Sequence, residues 1–223
     1  MRGMPAALDP HWSLVAKFLR QHTHDVCNDL NGLELEAALL GEFVPDGEGA
    51  ESIARMRAQI RRLAADLRGL AAKFVEPTPV LALYAASELF LIWQEQPSAL
   101  DPSPAVSWRE SVGTEQVNVD ASALAEVFRE LLANAQAFGT GAPISATVKS
   151  EGGRVTFELR EPKDAPLEPA SWGSQPFAPV RQGHYGLGLW EARRVIAASG
   201  GEVERQFEAE TMELVTRLSF PVA

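Results

Sequence analysis

The chain has 223 residues, 46% hydrophobic and 22% charged, an ordinary globular mixture with enough apolar side chains for a core. Its formal charge of -10, from 20 basic and 30 acidic residues, gives a surface that repels phosphate backbones and argues against nucleic-acid binding. Cys27 is the only cysteine, which excludes an intramolecular disulfide or a CxxC metal site. Residues 1–10 lack a charged start followed by an apolar stretch, so no signal peptide is expected. The most apolar segment, residues 80–93, carries Glu88 and is too short to span a bilayer. The expectation is a cytoplasmic protein that engages neither membrane nor nucleic acid.

The first periodic segment predicts a helix over residues 10–43. Its apolar stripe is Val15, Leu19, His22, Val26, Leu30, Leu33, Ala37 and Leu40, in steps of three or four. Gly41 and the cluster Pro45, Asp46, Gly47 and Gly49 break it. A second helix is predicted over 50–74, with the stripe Ile53, Met56, Ile60, Leu63, Leu67, Leu70 and Phe74. Two amphipathic helices joined by a short turn cannot bury both apolar faces alone, so a homodimer forming a four-helix bundle is expected. Beyond Pro79 the pattern changes. Helices are predicted over 79–94, 121–138 (with Asp120 as cap) and 187–199, and strands over 105–111, 116–119, 144–150, 154–160, 202–207 and 213–220. Glu151-Gly152-Gly153 is the expected hairpin turn. Residues 161–185 read as a long irregular stretch. Grouped strands with interspersed helices predict an α/β sandwich with one face of the sheet covered.

Three segments carry chemistry. In Thr23-His24-Asp25-Val26-Cys27-Asn28, the helical period turns His24 away from the apolar stripe, where its imidazole is wet and reachable. Asn28 lies one turn further on the same face. A neutral imidazole nitrogen is a competent phosphoryl acceptor near neutral pH, and the adjacent Asp25 is placed to hold the ring tautomer or take its proton. In the second segment, Leu124, Val127, Phe128, Leu131 and Leu132 form a buried stripe, while Glu130 and Asn134 share another face. Placed so, a carboxylate and an amide oxygen suit Mg²⁺ or a phosphate. The third, Gly183-His184-Tyr185-Gly186-Leu187-Gly188-Leu189, runs into a helix. Its glycines permit positive φ and close approach, and the helix N-terminus offers free N–H groups to phosphates.

In order and spacing these segments make the chain, from about His11 to Val222, resemble the catalytic core of sensor histidine kinases. That core is a two-helix dimerisation and histidine-phosphotransfer module followed by the ATP-binding domain shared with gyrase, Hsp90 and MutL. The resemblance implies an α+β chain: a helical hairpin over 1–77 forming a dimeric four-helix bundle, then an α/β sandwich of the Bergerat ATPase type over 78–223. His24-Asp25 resembles the H box, with His24 as phosphoacceptor. Asn28 is similar to the polar residue that assists dephosphorylation of the response regulator. Glu130 to Asn134 resembles the N box, with Asn134 as the Mg²⁺ ligand. Gly183, Gly186 and Gly188 are similar to the G2 hinge of the ATP lid, and Pro176-Phe177 to the lid itself.

The G1 segment departs from the family. With residues 155–159 aligned as its strand, Glu161 stands at the adenine-binding aspartate, and Lys163 and Ala165 stand where glycines are expected. Lys cannot take a glycine's conformations cheaply. The resemblance thus implies a phosphorelay protein that passes phosphoryl groups through His24 to or from aspartates of response regulator receiver domains. It would be a histidine phosphotransferase or phosphatase with impaired binding of ATP and Mg²⁺. Two alternatives stay open: a soluble ATP-dependent kinase that autophosphorylates His24, and a non-catalytic binding protein on the same scaffold.

Overall fold

The computed structural model describes residues 9–96, 105–169, 173–176 and 186–223. The chain divides into two compact units, Met1–Glu76 and Pro77–Ala223.

The first unit is a hairpin of α1 (Asp9–Phe43) and α2 (Glu48–Ala72). Gly47, at φ 129°, makes the turn that only glycine takes without strain. Glu48 and Glu51 then place negative charge in the first turn of α2, where the helix dipole favours it. Cys27 faces Ala64 and Glu34 faces Arg57, so the helices run antiparallel. The Arg57 guanidinium donates to Glu34 Oε1 at 2.8 and 3.0 Å.

The seam between the helices differs from the stripe expected on α1. Its buried residues are Ala16, Thr23, Cys27, Leu30 and Ala37, met by Ala64 with Ile60 and Leu67 beside it. Val15, His22, Leu33 and Leu40 of the expected stripe are exposed, as are Met56 and Leu63 on α2. Small side chains let the two backbones approach closely, so the hairpin takes the Ala/Thr/Cys face of α1. The larger apolar residues remain on the outside.

In the second unit, β1 (Ala82–Ala85) leads into α3 (Ala86–Gln94), then β2 (Val106–Ser111) and β3 (Gln116–Val119). Next come α4 (Ala121–Ala137), β4 (Ile144–Glu151), β5 (Arg154–Pro162), α5 (Gly188–Ala198), β6 (Glu202–Glu208) and β7 (Glu213–Pro221). The helix expected from residue 79 therefore begins only at Ala86. Residues 80–93 are apolar without a period, and antiparallel pairing of β1 with β3, Ala82 opposite Val119, satisfies the backbone that a longer helix would have satisfied internally. Asp120 caps α4 by accepting the Ala123 N–H at 3.0 Å, and its other oxygen accepts the Val80 N–H at 2.9 Å, tying the approach to β1 to the helix start. These two donors hold the Asp120 carboxyl below the usual carboxylate range.

The larger sheet has the order β2-β4-β5-β7-β6, parallel between β2 and β4 and antiparallel elsewhere. Ile144, Ala146, Val148, Val155, Phe157, Leu159, Leu218 and Phe220 point from one face into a single core with α3, α4 and α5. Trp93 stacks on Phe128 at 4.7 Å between ring centroids and meets Trp108 and Phe157 edge-on. On the opposite face, Glu158 accepts from both Arg160 and Arg217, and Arg160 reaches Glu208 and Glu213.

Candidate functional site

Three groups of side chains stand out, one on the hairpin and two in the sandwich. His24 is exposed on α1, one position past the buried Thr23. Its Nδ1 lies 3.4 Å from Asp25 Oδ1 and 3.3 Å from Asn28 Nδ2. Both partners therefore address one ring nitrogen of an exposed side chain, and Nε2 has no partner among the described residues. An imidazole so held offers its far nitrogen to an incoming electrophile, with a carboxylate behind it.

In the sandwich, Glu130 and Asn134 do share a face of α4, and the Asn134 amide donates to Glu130 Oε1 at 2.8 Å. The start of α5 closes on that pair. A Cβ at Gly188 would overlap the Glu130 carboxylate, so a side chain there would push Glu130 out of its contact with Asn134. Gly186, at φ 64°, turns the chain into the helix. Gly183 and Phe177 lie outside the described residues. Among the described residues, no group of three or more His, Cys, Asp or Glu gathers as a metal site.

Glu161 is not in an irregular stretch. It is the second-last residue of β5, 2% exposed, on the inner face with Phe157 and Leu159. Lys163 Nζ lies 2.9 Å from its Oε2, and the Arg205 guanidinium lies 3.5 Å from its Oε1. The side chains of all three are less than a tenth exposed. Register explains the meeting: Arg205 on β6 pairs with Thr216 on β7, which pairs with Leu159, one inward position before Glu161. Arg205 Nε donates to Thr216 Oγ1 at 2.9 Å. Burial pulls the Arg205 guanidinium below its ordinary range; Glu161 opposes this, and Arg193 adds to it. Lys163 further donates its ammonium to the Phe138 carbonyl at the end of α4 and its backbone N–H to the Met212 carbonyl. Sequence reasoning found Glu161 and Lys163 but missed Arg205. The signal was present, since Val203, Arg205 and Phe207 alternate inward and a charge in that series needs a buried partner.

The sequence matches no family model and no curated protein. Solved structures do match. Full-length ShkA in complex with AMPPNP aligns with a TM-score of 0.68 at 21% identity, over 93% of this chain and 46% of that one. The nucleotide-free catalytic domain of histidine kinase ThkA gives 0.54 at 18% identity, over 64% of this chain and 95% of that domain. The mycobacterial sensor histidine kinase MprB gives 0.52 at 17%, over 64% and 98%. The fold is histidine-kinase-like. This chain spans about half the length of ShkA and nearly all of the other two. No helix among the described residues is long and apolar enough to cross a membrane.

At the end of β5, each oxygen of Glu161 faces a buried cation, Lys163 at Oε2 and Arg205 at Oε1. The Glu130, Asn134 and Gly188 arrangement at the junction of α4 and α5 is the part that remains compatible with a phosphate or Mg²⁺.

Proposed function

We propose that this protein is a two-component phosphorelay protein. It passes phosphoryl groups through His24 to or from the aspartates of response regulator receiver domains, as a histidine phosphotransferase or phosphatase with impaired ATP binding. The observation that carries this reading over an ATP-dependent kinase is the buried Lys163–Glu161–Arg205 cluster. It stands where the resemblance puts the base end of a nucleotide site, while the exposed His24 has Asp25 and Asn28 beside Nδ1. Asn28, on the His24 face, is positioned to orient a water against a receiver's acyl phosphate. The protein acts as a homodimer. Leu14, Phe18, Leu33, Leu40 and Phe43 on α1, with Met56 and Leu63 on α2, leave more apolar surface exposed than a hairpin bears alone, and a second hairpin covers it as a four-helix bundle.

A receiver domain carrying labelled phosphate on its aspartate tests the transfer. Label moves to the wild-type protein and not to His24→Gln. Calorimetry with Mg²⁺-ATP, up to millimolar nucleotide, shows no heat. Micromolar nucleotide binding with labelling of His24 from ATP would overturn the reading in favour of a soluble histidine kinase, which the Glu130, Asn134 and Gly188 arrangement favours. Retained function in His24→Gln would leave a non-catalytic binding protein.

A further inference from the structure

The two contacts on His24 Nδ1 exclude each other. A neutral imidazole carries one proton, on Nδ1 or on Nε2. The Asp25 carboxylate only accepts, so its contact holds the proton on Nδ1 and leaves a bare lone pair on Nε2. The Asn28 N–H only donates, so its contact needs the lone pair on Nδ1 and puts the proton on Nε2. The balance between them decides which face of the ring is nucleophilic. A third side chain acts on that balance. Gln21, one turn before Asp25, donates its amide N–H at 2.9 Å to Asp25 Oδ1, the same oxygen that faces His24. Asp25 is exposed, and Gln21 fixes its rotamer against the ring rather than towards water.

We propose that Gln21 is a positioning residue for His24: by holding Asp25 against Nδ1 it keeps the ring proton there and leaves Nε2 as the nucleophilic nitrogen. This deepens the phosphorelay reading and rests on it for its consequence. When a receiver's aspartyl phosphate is the donor, the Nε2 lone pair forms the N–P bond. The bond between phosphorus and the acyl oxygen breaks, and its electron pair leaves with the aspartate carboxylate. The ring keeps its Nδ1 proton and becomes a cation, whose charge Asp25 opposes. In the other tautomer the Nε2 lone pair is tied up in an N–H bond, and the proton has to move first.

Nitrogen-15 NMR of the imidazoles in the full-length protein reads the tautomers directly. It is run in alkaline buffer, and the spectrum itself separates neutral from cationic rings. His24 is assigned by difference against His24→Gln. Gln21→Ala moves its ratio towards the Nε2–H form by about twofold, the factor one exposed i,i+4 pair carries. Gln21→Glu moves it further, because a second carboxylate pushes Asp25 away, and Gln21→Lys, a donor at the same place, restores it. Asn28→Ala moves it the opposite way. Melting temperatures stay level across the series, which a purely structural role for Gln21 would not give. Equal ratios in the wild type, Gln21→Ala and Gln21→Glu overturn the proposal, even with phosphotransfer intact. A ratio that moves as stated while no variant, nor the wild type, takes label from a receiver supports the role of Gln21 and removes the phosphorelay reading instead.

Discussion

The hairpin and the sandwich treat their large apolar residues in opposite ways. On α1, Leu14, Phe18, Leu33, Leu40 and Phe43 stand outside, Phe43 81% exposed, while Ala16, Thr23, Cys27 and Ala37 take the seam. In the sandwich, Phe90, Trp93, Phe128, Phe157 and Phe220 are all closed into one core. Their polar groups are inverted too. The hairpin presents His24, Asp25 and Asn28 to water, whereas the sandwich has drawn Lys163, Glu161 and Arg205 inside. A buried charge is tolerated only where a partner answers it, and a reacting charge has to stay accessible. The contrast leaves the exposed polar trio on the unit with the thinner core and the paired charges inside the better-packed one.

Four measurements break or sharpen that contrast. The largest effect is expected at His24: His24→Gln abolishes phosphoryl acceptance from a receiver domain in a labelling assay and leaves the melting temperature unchanged, because the side chain is exposed and touches only exposed neighbours. Phe157→Ala and Glu161→Gln act on the better-packed unit. The first costs about 3–5 kcal/mol through the cavity it leaves. The second costs about 3–5 kcal/mol by stranding two buried cations. Urea denaturation followed by tryptophan fluorescence reports both, since four of the five tryptophans lie beyond residue 76. If Glu161→Gln were as stable as the wild type, the two cations would not depend on Glu161 for their burial. Third, the double substitution Leu33→Glu and Leu40→Glu halves the particle mass in sedimentation, from a dimer to the 24.2 kDa chain.

The smallest effect is a dependence on acid. Burial pushes the Glu158 carboxyl up, but hydrogen bonds from Arg160 and Arg217, with their charges, outweigh it and hold the group below the usual range. The hydrogen bond from Arg160 does the same for Glu208. A carboxyl depressed in the folded state adds stability above its unfolded value of about 4.3, and that stability is lost as pH falls through the folded value. The urea midpoint of the sandwich therefore drops below about pH 4, and Arg160→Met flattens the drop.

Much of the architecture was legible in the sequence because its signals are local. The β4–β5 hairpin follows from Gly152-Gly153, both at positive φ, and α4 from Asp120 and a clean stripe. What was hidden depends on pairings distant in the chain. β1 was read as helix because an apolar run has no period until β3 lies beside it. The seam of α1 was misread because periodicity marks an apolar face but not which of two such faces a neighbour takes. At the candidate site, the outward turn of His24 and the shared face of Glu130 and Asn134 followed from helical spacing alone. The neutralisation of Glu161 needed the register of β5, β7 and β6, which places Arg205 within reach from more than forty positions away.

The outer strand of the larger sheet bears on how the protein behaves in a crowded solution. β6 is an edge, with backbone groups available to any strand that approaches, and Glu202, Glu204 and Glu208 alternate along its outward face. Glu208 accepts from Arg160 and Arg217, while Glu204 lies near Arg217 and Glu202 near Arg154, so an arriving strand would meet a row of solvated, paired charges. Charged side chains along an edge strand are one way natural sheets resist runaway strand addition and fibre growth. The sandwich is thus guarded against aggregation at β6.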